Sequence, residues 1–253
     1  MLENIALLFA GVAAGALNAV GGGGTFVALP ALVAAGLPPV TANASSTVAL
    51  LPGALASAWA YRGDVVQVGT PSRVALTATS LLGSALGAGL LLVLPAASFD
   101  AAVPWLLAFA TVVLAFGRTL SRMLTAAVGR SVELGSWSVL IGQFVLAGYG
   151  GYFGGAVGIL MLALWNVGLG IDPATGNSAR VVQLAAIYAT AAGFFLIASD
   201  VLSYPVQVAS VLIGAAAGGF AGAHWARRLP PAVLRGVVLT TAITMTILYF
   251  AKG

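Results

Sequence analysis

The chain has no cysteine and one histidine, and only 6% of its residues are charged. Without cysteine there is no disulfide framework, no thiol nucleophile and no thiolate metal site. The lone histidine, His224, sits in "AHWARR" and reads as part of an interfacial cluster, with proton coupling as the lesser alternative. No H-E-x-x-H, paired intramembrane carboxylate or nucleophile–base pair is present, so catalysis has nothing to build on. The run "GGGG" is not a phosphate loop, because no G-K-[ST] follows it. Neither an enzyme nor a metal or other cofactor is implied. Asp64, Asp100 and Asp200 read as loop residues, which leaves a cation or metal transporter without acidic ligands inside an apolar segment.

Soluble globular chains carry about 25% charged residues, so the scarcity of charge excludes that class as well. No strand-like alternation supports a transmembrane barrel. The longest polar connection, "GRTLSRMLTAAVGRSVELGS" at 117–136, is too short for a soluble domain. "MLENIALLFAGVAAG" has neither a basic n-region nor a clean cleavage site, and reads as a retained first helix rather than a signal peptide.

What is present is hydrophobic sequence, 60% of 253 residues. Crossing a hydrocarbon core of about 30 Å takes about 20 helical residues. Glycine, proline and charge divide the chain into ten apolar segments, at 5–20, 25–36, 43–61, 73–94, 103–118, 136–152, 158–169, 177–198, 205–225 and 233–251. These make a single all-α, polytopic transmembrane domain. Segments two and seven are too short to span comfortably. Each follows a glycine break, whether as a thin crossing or a re-entrant piece.

The second half repeats the first. "GGGGTFVALPALVAAGLPPVTANASST" at 21–47 aligns with "GGAVGILMLALWNVGLGIDPATGNSARV" at 154–181 with one slip. Gly21 and Gly22 meet Gly154 and Gly155, Gly24 meets Gly158, Pro39 meets Pro173 and Asn43 meets Asn177. Interrupted short segments at matching positions of two halves mark the binding region of a repeat-built secondary transporter. Basic residues are gathered at Arg62 and Arg73, at Arg118, Arg122 and Arg130, and at Arg227, Arg228 and Arg235. They read as cytoplasmic topology markers rather than as a nucleic-acid surface. On that basis repeat one, about 1–120, and repeat two, about 134–253, are inverted and joined by a cytoplasmic loop at 118–135. Both termini then lie outside the cell membrane.

Irregular backbone survives at membrane depth only where protein or a wet cavity covers it. The glycines also admit a plainer use, close helix packing, which is the favoured reading of "GSALGAG" and "GAAAGGFAGA". The polar starts "PPVTANASST" and "DPATGNSAR" favour a ligand site beside the breaks. There Thr41, Asn43 and Ser45 can cap a helix whose positive end suits an anion. Arg180 is the most informative residue, because a buried intramembrane arginine is costly and suggests function. It follows Asn177 by three positions, with Gln183 a further turn on, and Asp172 is close enough to be an ion-pair partner. Ser46 takes the place of Arg180 in the first repeat. The candidate substrate site comprises Gly21, Gly22, Gly23, Gly24, Thr25, Asn43, Ser45, Ser46, Gly154, Gly155, Gly158, Asn177, Ser178, Arg180 and Gln183. Asn18, Asn166, Gln143, Tyr149, Tyr152 and Tyr188 are weaker candidates to line a path.

Over nearly its whole length the chain resembles the sulfite exporter TauE/SafE family, also called the 4-toluene sulfonate uptake permease family. The resemblance rests on "GALNAVGGGGTFVALPALVAAGLPPVTANASSTVAL" and on "GYFGGAVGILMLALWNVGLGIDPATGNSARV". It implies a transporter of sulfite, sulfonates or related organosulfur anions, often directed outward. "TGNSAR" departs from the Ser/Thr stretch commoner in the family, which bears on substrate choice. The implied partners are a small anionic substrate and the lipid bilayer of the inner cell membrane, with homo-oligomerisation open. A passive anion channel, a carrier of an unrelated solute or metal ion, and a non-transporting assembly factor are the rival readings.

Overall fold

The computed structural model describes residues 2–21, 23–128 and 134–225, with scattered positions between 236 and 250. Gly22, Arg130, Arg227, Arg228 and Arg235 lie outside the described residues, as do the side chains of Arg118, Arg122 and His224 and much of the tenth apolar segment.

The fold is all-helical. In chain order the helices are α1 (Leu2–Gly21), α2 (Thr25–Ala34), α3 (Pro39–Ala60), α4 (Arg73–Val93) and α5 (Ala96–Val128). They continue as α6 (Ser136–Tyr152), α7 (Val157–Leu169), α8 (Pro173–Ala198) and, after a 3₁₀ turn at Asp200–Ser203, α9 (Pro205–Trp225). Five of them, α1, α4, α5, α8 and α9, are long and apolar enough to cross a membrane. Helices α2 and α7 have 10 and 13 residues; at about 1.5 Å rise per residue they fall well short of a hydrocarbon core.

Four boundaries differ from the sequence reading: the starts of α3 and α8 and both ends of α5. Helices α3 and α8 start at Pro39 and Pro173, four residues before the expected 43 and 177. Proline at the first helical position loses no hydrogen bond and already has a helical φ, so each proline opens its helix. Thr41, Asn43 and Ser45 therefore lie inside α3 and do not cap it; Pro38 occupies the N-cap position with no side-chain bond. Helix α5 runs on to Val128, through residues read as loop, and takes in Asp100 near its start.

Helices α3 and α8 pack against each other at the centre, α3 also on α9 and α8 also on α4. Two tight seams flank this pair, α1 along α9 and α6 along α4. Both are built on glycine. A Cβ on Gly218 would lie 1.9 Å from the Val12 carbonyl oxygen, and one on Gly87 would lie 1.9 Å from that of Gly148. Without a hydrophobic driving force between helices in lipid, such backbone approach is what holds them. The short helices fill in beside the central pair, α2 on α3 and α7 on α8.

Candidate functional site

The two chain breaks meet in the interior. In the first, Gly23 and Gly24 carry the chain from α1 to α2 and are buried. A Cβ on Gly24 would come within 2.6 Å of the Ala14 carbonyl oxygen, so α2 folds back tightly on α1. In the second break, between α6 and α7, Gly154 has φ +82° and Ala156 φ +58°. The left-handed region costs an L-residue roughly 1–2 kcal/mol, so Ala156 is strained, and it is fully buried. Thr25, at the head of α2, stands against this second break, its hydroxyl 3.5 Å from the Cβ position of Gly154.

Each central helix reaches across to the opposite break. From α3, Asn43 Nδ2 donates to the carbonyl of Tyr152, the last residue of α6, at 2.9 Å. From α8, Arg180 Nη2 donates to the carbonyl of Ala19, near the end of α1, at 3.5 Å. These carbonyls belong to the last turns of α1 and α6, where no later amide continues the ladder. Side chains of the other half thus take up acceptors that the glycine breaks free.

Arg180 is 1% exposed. Its Nε donates to Asn177 Oδ1 at 2.9 Å, so both bonded partners are neutral oxygens. The alternative pairing with Asp172 does not form. Asp172 instead caps α8, accepting from the amides of Ala174 at 2.9 Å and Thr175 at 3.3 Å. Arg180 Nη1 is buried with no hydrogen-bond partner. It faces the start of α7, 2.8 Å from where Gly158 would carry a Cβ. The amides of Val157 and Gly158 precede the first bond of α7, which runs from Ile159 to the Ala156 carbonyl at 2.9 Å, and the helix dipole makes this end positive. A guanidinium with an unused donor is therefore held against a second positive end, an arrangement that an anion would stabilise from both sides.

Further polar groups are buried on α1, α3 and α8. Tyr188, fully buried on α8, donates to Asn18 Oδ1 at 3.5 Å. Asn43 Oδ1 and Ser45 Oγ are buried without partners, whereas Ser46 is satisfied within α3 by the Asn43 carbonyl at 2.8 Å.

Other candidates lie elsewhere. Ser178 accepts from the Val66 amide at 3.3 Å, tying α8 to the α3–α4 connection. Gln183 turns toward α4, where its amide donates to Thr77 at 3.1 Å and its oxygen accepts from Ser80 at 2.8 Å. Gln143 donates to Ser80 and to Met161 Sδ, and Asn166 closes the end of α7 onto the Ile171 carbonyl. Gly155 lies against the ring of its neighbour Phe153, and Gly21 ends α1. The rings of Tyr149 and Tyr152 pack on Phe109 and Phe99. The role of α4 was missed in the sequence, although Thr77, Ser80 and Ser84 recur there at helical spacing on an apolar helix, a signal that could have found it.

Because Gly158 abuts the far end of a long side chain, Gly158→Ala is expected to fold normally and displace the guanidinium. The expected result is anion binding weakened by about tenfold, the loss of roughly 1.4 kcal/mol, with an unchanged melting temperature. Titration of the purified variant checks it.

A family profile described as "Sulfite exporter TauE/SafE" matches residues 7–249. No curated protein and no solved structure matches the chain.

Proposed function

The chain belongs to the sulfite exporter TauE/SafE family, a family of membrane transporters, and from that premise we propose that it carries a small sulfur-containing oxyanion, such as sulfite or an organosulfonate, outward across the inner cell membrane by alternating access. The observation that carries this reading is Arg180, a buried guanidinium with neutral partners whose Nη1 has none, aimed at the start of α7. Deep burial of an unpaired charge is expensive, and in a membrane it points to function. A bound oxyanion would accept from Nη1 and from the opening amides of α7, with Asn43, Ser45 and Thr25 nearby to orient it.

Two halves of opposite sense would supply the movement. In support, α1 packs on α9 as α6 packs on α4, and Asn43 reaches the end of α6 as Arg180 reaches the end of α1. Rocking one half against the other would remake these crossed contacts and open the site to alternate sides. A net charge carried with the anion would couple to the membrane potential by roughly 2.3 kcal/mol per 100 mV.

Thermal stability of the detergent-purified protein, measured against sulfite, thiosulfate, sulfate, sulfoacetate, taurine, phosphate and chloride, tests this. A ligand of the folded state at 100 times its dissociation constant adds about 2.7 kcal/mol. The expected result is a melting shift with one or more sulfur oxyanions, absent with chloride. No shift with any anion would sink the reading.

A further inference from the structure

A cavity of about 290 Å³ lies between the α3–α4 connection and α8; Ala179, Val182 and Gln183 of α8 line it and Arg180 does not. Its charged lining residues are Arg62 and Arg73, with Thr77 and Gln183 beside them and no acidic residue among those that line it. Both arginines are held in place by backbone carbonyls. Arg73 Nη2 donates to Val65 at 2.6 Å, and Arg62 Nη1 donates to Trp59 at 2.8 Å while its guanidinium lies 4.2 Å from the centre of the Trp59 ring. Each bond uses one N–H of a group that offers five.

The hydrogen bonds behind the cavity form a chain, in which the Ser80 hydroxyl has the Gln183 oxygen as its shorter acceptor and the Leu76 carbonyl, at 3.1 Å, as its longer one. Gln143 donates to Ser80 at 2.8 Å, Ser80 donates to the Gln183 oxygen at 2.8 Å, and the Gln183 amide donates to Thr77 Oγ1 at 3.1 Å. Gln143, Ser80 and Gln183 are buried, at 0%, 0% and 4% exposure. With its oxygen accepting from Gln183, the Thr77 hydroxyl has its proton left to give. The cavity therefore presents two guanidinium groups and a hydroxyl polarised as a donor, the complement of an oxyanion rather than of a cation.

We propose that this cavity is a second anion site, an antechamber where a small oxyanion is held by Arg62, Arg73 and Thr77 before it passes to Arg180 on the same helix α8. The assignment rests on the transport reading above and adds to it a second bound anion per chain. Ser178 links the two sites: it takes the Val66 amide at the cavity and lies next in sequence to Asn177, which holds Arg180.

The test is equilibrium dialysis of radiolabelled sulfite, kept anaerobic, against the full chain in nanodiscs. Four proteins are compared: wild type, Arg180→Gln, Arg62→Gln with Arg73→Gln, and Thr77→Val, each with a melting curve to confirm folding. Wild type is expected to bind a second equivalent. The arginine pair variant should lose that equivalent and keep the first, and Thr77→Val should weaken it at least about tenfold, the value of a hydrogen bond to a charged group. Arg180→Gln should keep the antechamber equivalent alone. Loss of all binding in Arg180→Gln, or wild-type stoichiometry in both antechamber variants, overturns the proposal. Binding unaffected by Arg180→Gln but removed by the arginine pair variant would sink the inner site and leave the antechamber standing. A wild type that binds no sulfite overturns both.

Discussion

Arg180→Gln is expected to abolish sulfur-anion flux in proteoliposomes while leaving the protein at least as stable to heat. The two effects separate because Arg180 is buried with neutral partners at Asn177 and Ala19. A buried charge with neutral partners is costly for the fold to keep, so exchanging it for a neutral amide removes that cost. Glutamine can still bond Asn177, so the core keeps most of its satisfaction. The anion, by contrast, loses its charged donor. A hydrogen bond to a charged group is worth about 1.5–3 kcal/mol, which at 1.4 kcal/mol per decade is an affinity loss of roughly ten- to hundredfold or more. Lysine should not restore flux, since an ammonium is a point charge and cannot bridge Asn177, the Ala19 carbonyl and a ligand at once. A purely structural arginine would behave otherwise, with stability and transport falling together. Wild-type flux in Arg180→Gln would end the case for the site.

Gly87→Val and Gly218→Val are expected to leave little folded, monodisperse protein. At both positions the added Cβ would stand 1.9 Å from a carbonyl oxygen of the facing helix, Gly148 for Gly87 and Val12 for Gly218. Those obstacles are backbone, which cannot rotate away, so the helices must separate along the seam. Overpacking a core with side chains on both sides costs about 1–3 kcal/mol; a backbone clash lies at or beyond the top of that range. Gly87 also lies 2.8 Å, from its Cβ position, to the amide of Tyr152, the residue whose carbonyl Asn43 holds. Opening this seam would therefore disturb the second break as well as the fold. The contrast is Gly89→Ala on the same helix, where nothing lies within 4 Å. Alanine is favoured over glycine in a helix interior by about 1 kcal/mol, so this change should be neutral or stabilising. Size-exclusion profiles and melting curves of the three variants decide it, and a Gly87→Val protein that melts like wild type would refute the packing account.

Much of this was legible in the sequence because the membrane makes sequence informative. Hydrocarbon forces every backbone group into a helix, so apolar runs and glycine or proline interruptions marked most helices to within a few residues. The ends were misread where one residue serves two purposes. Pro39 and Pro173 lie four residues ahead of the expected starts at 43 and 177 and open the helices themselves, so the polar residues beyond Pro39 are interior to α3 instead of caps. The repeat pointed to the breaks, and the cost of a buried charge pointed to Arg180.

Partners were a different matter. Spacing placed Asn177, Arg180 and Gln183 on neighbouring turns of one helix, yet Arg180 turns to α1 and α7 while Gln183 turns to α4. Asp172 stood near enough in sequence to neutralise the arginine, but the free amides of its own helix claim it first. Nor could sequence say that Asn43 would hold the end of α6, a residue 109 positions away. The chain by itself determined which segments are helical, where they break and which charge is buried, because these follow from local bonding and transfer to hydrocarbon. Only the tertiary structure decided which carbonyls, amides and hydroxyls that charge would meet, because in a core of small residues many helix arrangements bury the same surface and the glycine seams select one of them.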